Sequence, residues 1–458
     1  MRGWLVVFVV FVAASVAAAL YVPSATPVNP GGPIDTGDTA WVLGATALVL
    51  LMTPGLSFFY GGMVRGKNVI STMLQSFICM GVISVLWVVV GFSLAFGDSI
   101  GGVIGDPQTF FLLDGVGAAT NKDLAPTIPL MLFALFQLKF AIITPALVTG
   151  SFAERVRFSS YLVFVCLFSV IIYSPLAHWT WHPEGFLRKW GVLDFAGGTV
   201  VHMASGLAAL TGALVLGRRR VHLARQATEP ANIPFVLLGT GMLWFGWFGF
   251  NAGSALSASG LAAHAFLTTN TASASAMLAW ILLDRIRGRK ISALGACIGA
   301  VVGLVAITPG AGYVTVGASI TIGALAALLS NAAVHWRTQS SLDDTLDVFP
   351  CHGVGGMFGM LATGLFARVS VNPAGGDGLL AGNPKLFLTH LAGLGVVAAY
   401  VLAGTYVLLK LTNWILPLRV KEEAELIGLD LSQHGESAYP GRARLGDDGA
   451  SLIGGGSE

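Results

Sequence analysis

The chain has 458 residues, 55% of them hydrophobic and only 10% charged, with a formal net charge of +2. Soluble globular proteins are about half apolar and about one quarter charged, so an ordinary soluble enzyme is excluded and a membrane protein is expected. So small a net charge gives no electrostatic reason for a nucleic-acid partner. The four cysteines, Cys79, Cys166, Cys297 and Cys351, stand singly in apolar segments, without the spacing of a disulfide framework or a zinc site.

The N-terminus runs through Arg2, an apolar stretch from Trp4 to Val16, Ala17-Ala18-Ala19 and a Pro/Gly-rich stretch from Pro23 to Pro33. That order has the form of a secretory signal peptide with a small-residue cleavage site. Residues 1–19 are expected to be removed, so that the mature chain starts near Leu20 with a short extracytoplasmic segment, 20–38; an uncleaved extra span is the alternative. Eleven apolar stretches follow, each suited to crossing a hydrocarbon core of about 30 Å as a helix. They are Thr39–Gly62, Val69–Phe96, Thr127–Gly150, Ser159–Trp179, Gly197–Leu216, Ile233–Ser254, Leu261–Leu283, Ser292–Thr308, Tyr313–Val334, Val348–Ala367 and Lys385–Leu416. The last is the longest and is expected to tilt. Together they predict an all-α polytopic membrane domain over 39–416, followed by a cytoplasmic tail, 417–458.

Basic residues collect in alternate connections. Fifteen lie in one set: Arg65, Lys67, Arg155, Arg157, Arg218, Arg219, Arg220, Arg225, Arg285, Arg287, Arg289, Lys290, Arg337, Arg419 and Lys421. The other set holds five, Lys122, Arg188, Lys189, Arg368 and Lys385. By the positive-inside rule the first set faces the cytoplasm, which puts the N-terminus outside and the tail inside.

Two histidines stand deep in hydrophobic spans, each preceded by an aspartate: D-F-A-G-G-T-V-V-H ends at His202 and D-V-F-P-C-H at His352. An ionisable group in the hydrocarbon region costs about 2.5–3.5 kcal/mol or more, so membrane proteins keep such groups for internal paths. The pair marks a candidate conduction site; a structural hydrogen bond or a haem ligand is the alternative for each. The glycine-rich runs G-L-A-A-L-T-G and G-V-G-G-M-F-G-M-L-A-T-G follow, five spans apart. A five-helix unit makes an odd number of crossings, so its second copy starts from the opposite side. This predicts an inverted repeat with the site near the midplane. The aspartate-to-histidine intervals, eight and five, indicate a divergent repeat.

Aromatic residues accompany these spans. Phe136 and Phe140 are four apart in F-A-L-F-Q-L-K-F and share a helical face, as do Phe250 and Ser254 in W-F-G-F-N-A-G-S; Trp181 closes A-H-W-T-W. Aromatic faces attract a desolvated cation by about 2 kcal/mol or more, so these residues suit a cation site with one hydroxyl acceptor. Each ring alone is equally suited to core packing or to the membrane boundary.

Five segments in order resemble the ammonium transporter (Amt/Mep/Rh) family in its bacterial Amt branch. They are F-F-Y-G-G-M-V-R-G-K-N-V, F-A-I-I-T-P-A-L-V-T-G-S-F-A-E-R, D-F-A-G-G-T-V-V-H, W-F-G-F-N-A-G-S and G-L-D-L-S-Q-H-G-E-S-A-Y, and the likeness runs from about Asp38 to Tyr439. The resemblance implies eleven transmembrane helices in an inverted five-helix repeat and a homotrimer with a pore in each subunit. It further implies a place in the bacterial inner membrane, and transport of ammonium or ammonia with no cofactor or metal. Carried over by motif, Phe136, Phe140, Trp181 and Ser254 form an outer substrate-binding site, and Phe140 and Phe250 stack as a pore gate. His202 and His352 are the pore histidines, and Asp194 supports the entrance structurally. The tail implies contact with neighbouring subunits and with a PII signal protein.

Two features depart from the family pattern: Lys139, between Phe136 and Phe140, and the H-P-E-G that follows Trp181. Lys139 either faces the cation site and opposes recruitment, or snorkels away or is buried at a subunit interface. An ammonium sensor with little conduction and an Rh-type gas channel are the alternatives within the resemblance. A membrane metalloenzyme would need further ligands beside the two histidines, and no convincing set is present.

Overall fold

A computed structural model of the protein describes residues 2–22, 26 and 28–439. The single sheet among the described residues is a small hairpin, Ser99–Ile100 against Ile104–Gly105; the rest of the regular structure is helical. In chain order the main helices are α1 (Thr36–Met63), α2 (Gly66–Phe96), α3 (Leu130–Phe152), α4 (Phe158–Trp190), α5 (Gly198–Leu216) and α6 (Ile233–Gly253). They continue with α7 (Gly260–Ile286), α8 (Ala293–Ile307), α9 (Val316–Gln339), α10 (Phe349–Val354 running into Gly355–Phe366) and α11 (Pro384–Ile415). Nine are long and apolar enough to cross a membrane; α8, with 15 residues, and α10, joined from two pieces, stand outside that set. The fourth span, expected to end at Trp179, runs to Trp190 past a break at His182. Arg2–Leu20 is helical. The end of the expected cytoplasmic tail, 440–458, lies outside the described residues.

Small residues let these helices approach. On α6, a Cβ added to Gly246 would lie 2.6 Å from the Leu48 carbonyl and 2.3 Å from Met52 in α1, so the two backbones pack at a distance that only glycine permits. One apolar core draws on α1–α6 and α11 and takes in Val301 and Leu304 of α8 and Met360 of α10; a second draws on α7–α10 and takes in Ala252 of α6. Phe136, Phe140, Trp247 and Phe250 belong to the first core.

The ends of α3, α5 and α9 are tied by charges. Glu154, just after α3, receives Arg65 Nε at 2.9 Å and Arg219 Nη1 at 2.8 Å, and Arg219 Nη2 reaches Asp343 Oδ1 at 2.8 Å. Arg155 Nη2 donates to the Asp343 carbonyl, Arg337 pairs with Asp347, and Arg419 pairs with Glu425. Burial opposes ionisation of Glu154 and Asp343, but Arg219, with Arg65 beside Glu154, outweighs it and holds both carboxyls below their ordinary values. The basic residues that mark orientation in the sequence therefore also staple helix ends.

Removing Arg219 leaves two buried carboxylates without their shared partner, which costs about 3–5 kcal/mol. Arg219→Gln is expected to lower the unfolding temperature of the purified protein near neutral pH. Depressed carboxyls contribute stability that is present above their unfolded pKa values of about 4 and is lost as pH falls through the folded values. The melting temperatures of parent and variant should therefore converge on acidification; a constant gap would show that the staple is not ionic.

Candidate functional site

The site begins with two helix starts that share one construction. Asp194 Oδ1 accepts from the N–H groups of Gly197 and Gly198 at 2.8 and 2.7 Å, and Oδ2 accepts from the Thr199 N–H at 2.7 Å. The carboxylate thus satisfies the free donors at the head of α5. The first turns of α5, Gly198–Met203, are wound as a π-helix and carry His202; the π-helical turn Phe349–Val354 of α10 carries His352. Such wide turns break the helical ladder and recur at functional sites.

The sequence spacing points to Asp347 as the counterpart of Asp194, and here the structure differs. Asp344 Oδ2 accepts from the Phe349 N–H at 2.7 Å and caps α10, whereas Asp347, at φ +58°, turns to Arg337. Asp344 stands eight residues before His352, the interval between Asp194 and His202, so the two motifs match in spacing where the sequence suggests divergence. Burial, and then the neighbouring Asp347, push the Asp344 carboxyl up to about 6.

The two turns cross through glycine. A Cβ on Gly206 of α5 would lie 2.0 Å from the Gly353 nitrogen, and one on Gly356 would lie 3.0 Å from His202 Cβ. That approach lets His202 Nδ1 and His352 Nδ1 meet at 3.3 Å, with both side chains almost wholly buried. His202 Nε2 has no protein partner. Trp247 lies nearly parallel to the His202 ring at 5.3 Å and is fixed by its Nε1–H donating to Thr308 Oγ1 at 2.9 Å. Trp247 escapes notice in the sequence although it opens W-F-G-F-N-A-G-S, three residues before Phe250, on the same face.

Both histidines line a narrow cavity of about 10 Å³, scarcely room for the centre of one water, among Leu56, Ile143, Trp247 and Phe250. A wide cavity of about 760 Å³ is lined by Phe140, Trp181, Asp194 and Ser254. Phe140 and Phe250 stack at 4.2 Å and 29°, one ring facing each cavity. Phe136 and Trp181 stand edge-on to Phe140 at 5.0 and 5.7 Å. Ser254 Oγ donates its proton to the Phe250 carbonyl at 2.8 Å, which leaves its lone pairs free to accept. The structure thus brings together Phe136, Phe140, Trp181, Ser254, Phe250, His202 and His352, with Asp194 at the rim. Lys139 is 8% exposed and, like Phe136, lines neither cavity. The H-P-E-G stretch forms the break in α4, where the His182 ring lies 4.3 Å from that of His178. Among the described residues, no group of three or more His, Cys, Asp or Glu is placed to hold a metal ion.

A polytopic helical membrane protein with aromatic rings at one cavity and paired histidines at the next defines a class that comparison makes specific. The model of the Ammonium Transporter Family matches residues 40–439, and the chain belongs to that family. A Bacillus subtilis protein named ammonium transporter is 46% identical over 410 residues, covering 88% of this chain and 98% of its own. An Aquifex aeolicus protein of the same name is 46% identical, with coverage of 89% and 94%. The crystal structure of Candida albicans Mep2 aligns with a TM-score of 0.81 at 36% identity, covering 92% of this chain and 94% of that one. A solved structure named Sensor Amt Protein aligns at 0.78 with 29% identity, covering 87% and 98%.

Gly206→Ala should be severe, because backbone rather than a mobile side chain blocks the new methyl. A loss of about 1–3 kcal/mol or more is expected, read as a lower melting temperature; unchanged melting would show that the crossing can widen. Lys139→Met should leave the half-saturating ammonium concentration unchanged in a current titration, and a fall in that value would place the lysine charge at the site.

Proposed function

We propose that the chain is a conducting ammonium transporter. It captures ammonium among Phe136, Phe140, Trp181 and Ser254, removes a proton, and passes ammonia through the Phe140–Phe250 gate and along His202 and His352. The observation that carries this is the order of surroundings along one line: a wide cavity with polar walls, a stacked aromatic pair, then a narrow apolar cavity that reaches two buried imidazoles.

Energetics select the species that moves. Taking an intact small cation into so dry a passage carries an idealised Born cost on the order of 20 kcal/mol, whereas the rings offer about 2 kcal/mol or more. Cation–π attraction therefore suffices for capture at the wide cavity and not for passage beyond it. Ammonia needs only hydrogen-bond partners. In a neutral histidine pair the Nδ1–Nδ1 contact uses one proton, so one Nε2 is an acceptor and the other an Nε2–H donor, and the path both takes and gives a hydrogen bond. Potassium has no proton to surrender and stops at the same step. The released proton follows the imidazole pair inward, and transport is net electrogenic.

The remaining parts of the proposal rest on sequence pattern and family membership. The chain makes eleven crossings as two inverted five-helix halves and one further helix, α11. Each subunit of a homotrimer has its own pore. Residues 1–19 are a signal peptide, the N-terminus is outside the bacterial inner membrane, and the tail meets a PII signal protein in the cytoplasm. The equal spacing of the two Asp–His starts supports the repeat, and the fifteen-to-five division of basic residues supports the orientation.

Purified protein in proteoliposomes on a supported membrane should give inward positive current after an ammonium jump and none after a potassium jump. His202→Ala and His352→Ala should each lower that current by about ten-fold or more, as loss of a proton-handling group does, without loss of assembly by size analysis. Equal ammonium and potassium currents would mean an ordinary cation channel. Ammonium binding without current would mean a sensor.

A further inference from the structure

The loop between Trp190 and Gly198 carries Asp194 along the rim of the wide cavity, and it is fixed from several directions. The Phe195 N–H donates to the Pro309 carbonyl at 3.0 Å, and the Asp194 carbonyl accepts from Trp181 Nε1 at 3.1 Å. The Leu193 N–H donates to a side chain from a different span, His390 Nε2 in α11, at 3.0 Å. His390 is fully buried and lines neither cavity.

The ring's partners define its state. A backbone N–H can only donate, so Nε2 is the bare nitrogen; Nδ1 then carries the hydrogen and donates to the Met360 carbonyl of α10 at 2.8 Å. A Cβ on Gly364 would lie 3.2 Å from His390 Cβ and Cγ, so the ring is seated tightly against α10. Met360 Sδ in turn lies 3.0 Å from where a Cβ on Gly198 would stand, at the head of the His202 turn. His390 thus joins α10 and α11 to the loop that leads into α5.

We propose that His390 is a positioning residue for ammonium recruitment: by holding Leu193 it fixes the adjacent Asp194 carbonyl, and through it the Trp181 indole beside Phe140. This rests on the function proposed above. Cation–π attraction requires a ring within about 6 Å of the cation, and Trp181 stands edge-on to Phe140 at the wide cavity, so an indole that shifts away from Phe140 weakens the cage. The Asp194 carboxylate keeps its own bonds to Gly197, Gly198 and Thr199, which hold the His202 turn independently of His390. Loss of His390 therefore weakens capture and spares conduction.

The test is an ammonium titration of current in proteoliposomes. His390→Leu removes both hydrogen bonds; His390→Gln keeps an amide oxygen for Leu193 and an amide N–H for Met360. His390→Leu should raise the half-saturating concentration by about five-fold or more, the size expected for one lost buried hydrogen bond. Maximal current should stay near the parent value, and His390→Gln should restore half-saturation. Trp181→Ala should raise half-saturation by itself, and adding His390→Leu to it should change little further. If Trp181→Ala raises half-saturation and His390→Leu does not, the positioning role is overturned and the function proposed above stands. If neither moves it, recruitment at Trp181 falls as well. Loss of maximal current in both His390 variants at unchanged half-saturation would mark a structural histidine and overturn the proposal. Should His390→Leu fail to assemble, His390→Asn, which reaches Met360 but falls short of Leu193, carries the same titration with the same outcomes.

Discussion

The backbones of α5 and α10 meet at Gly206 and Gly353 more closely than any side chain allows, and the arrangement of the site follows from that contact. Two imidazoles can touch in an apolar interior only if the segments carrying them pass within a few ångströms of one another. Both segments also open in π-helical turns, whose wider winding leaves backbone groups to be satisfied at the helix heads. Asp194 and Asp344 answer that need from equal distances in sequence. Close crossing, wide turn and acidic cap are therefore parts of one solution: a polar pair is held in a dry place by bonds made at the helix heads.

Charge is distributed to the same end. The narrow cavity is walled by residues such as Leu56, Ile143 and Trp247, while the arginine and carboxylate staples gather beyond the helix ends around Glu154 and Asp343. A full charge beside the histidines would attract or repel a cation along the whole dry passage, because a medium of low dielectric screens it poorly. With these charges at the helix ends, the proposed function leaves selection to the imidazole pair and the stacked rings. Lys139, buried within α3, is the exception among these charges and lines neither cavity.

The helices are legible in the sequence because hydropathy depends only on local composition: Thr39–Gly62 is observed as Thr36–Met63, and Lys385–Leu416 as Pro384–Ile415. Phe140, His202, Phe250 and Ser254 stand out because each falls within one of the five long motifs, whereas Phe136, Trp181 and His352 lie outside them in shorter strings. Asp344 is not, since Asp347 stands nearer to His352 and spacing alone favours it; only the cap hydrogen bond to Phe349 separates them. The pairing of basic residues is hidden for a different reason. Arg219 finds Glu154 across 65 positions and Asp343 across 124, and no local pattern encodes contacts of that range. His390 is hidden too, because a lone histidine in an apolar helix carries no motif and its use depends on a backbone N–H from the α4–α5 loop.

Selectivity in such a passage cannot come from tight binding alone, since a site that held ammonium strongly would not release it into an apolar cavity. The geometry divides the task instead. In the proposed function, Phe140, Trp181 and the lone pairs of Ser254 at the wide cavity, with Phe136 packed behind Phe140, form a partial cage where a cation keeps some water and attraction is modest. The Phe140–Phe250 stack then leaves no polar contact for a cation at the boundary with the narrow cavity, and the next hydrogen-bonding groups are neutral imidazoles. On the proposed function, a species that can become neutral at that boundary gains more from going forward than from going back. Position matters more than strength in the proposed scheme, because both cation–π attraction and hydrogen bonding fall off with distance. The structure accordingly commits its least yielding elements, glycine crossings and buried caps, to holding these few side chains in place.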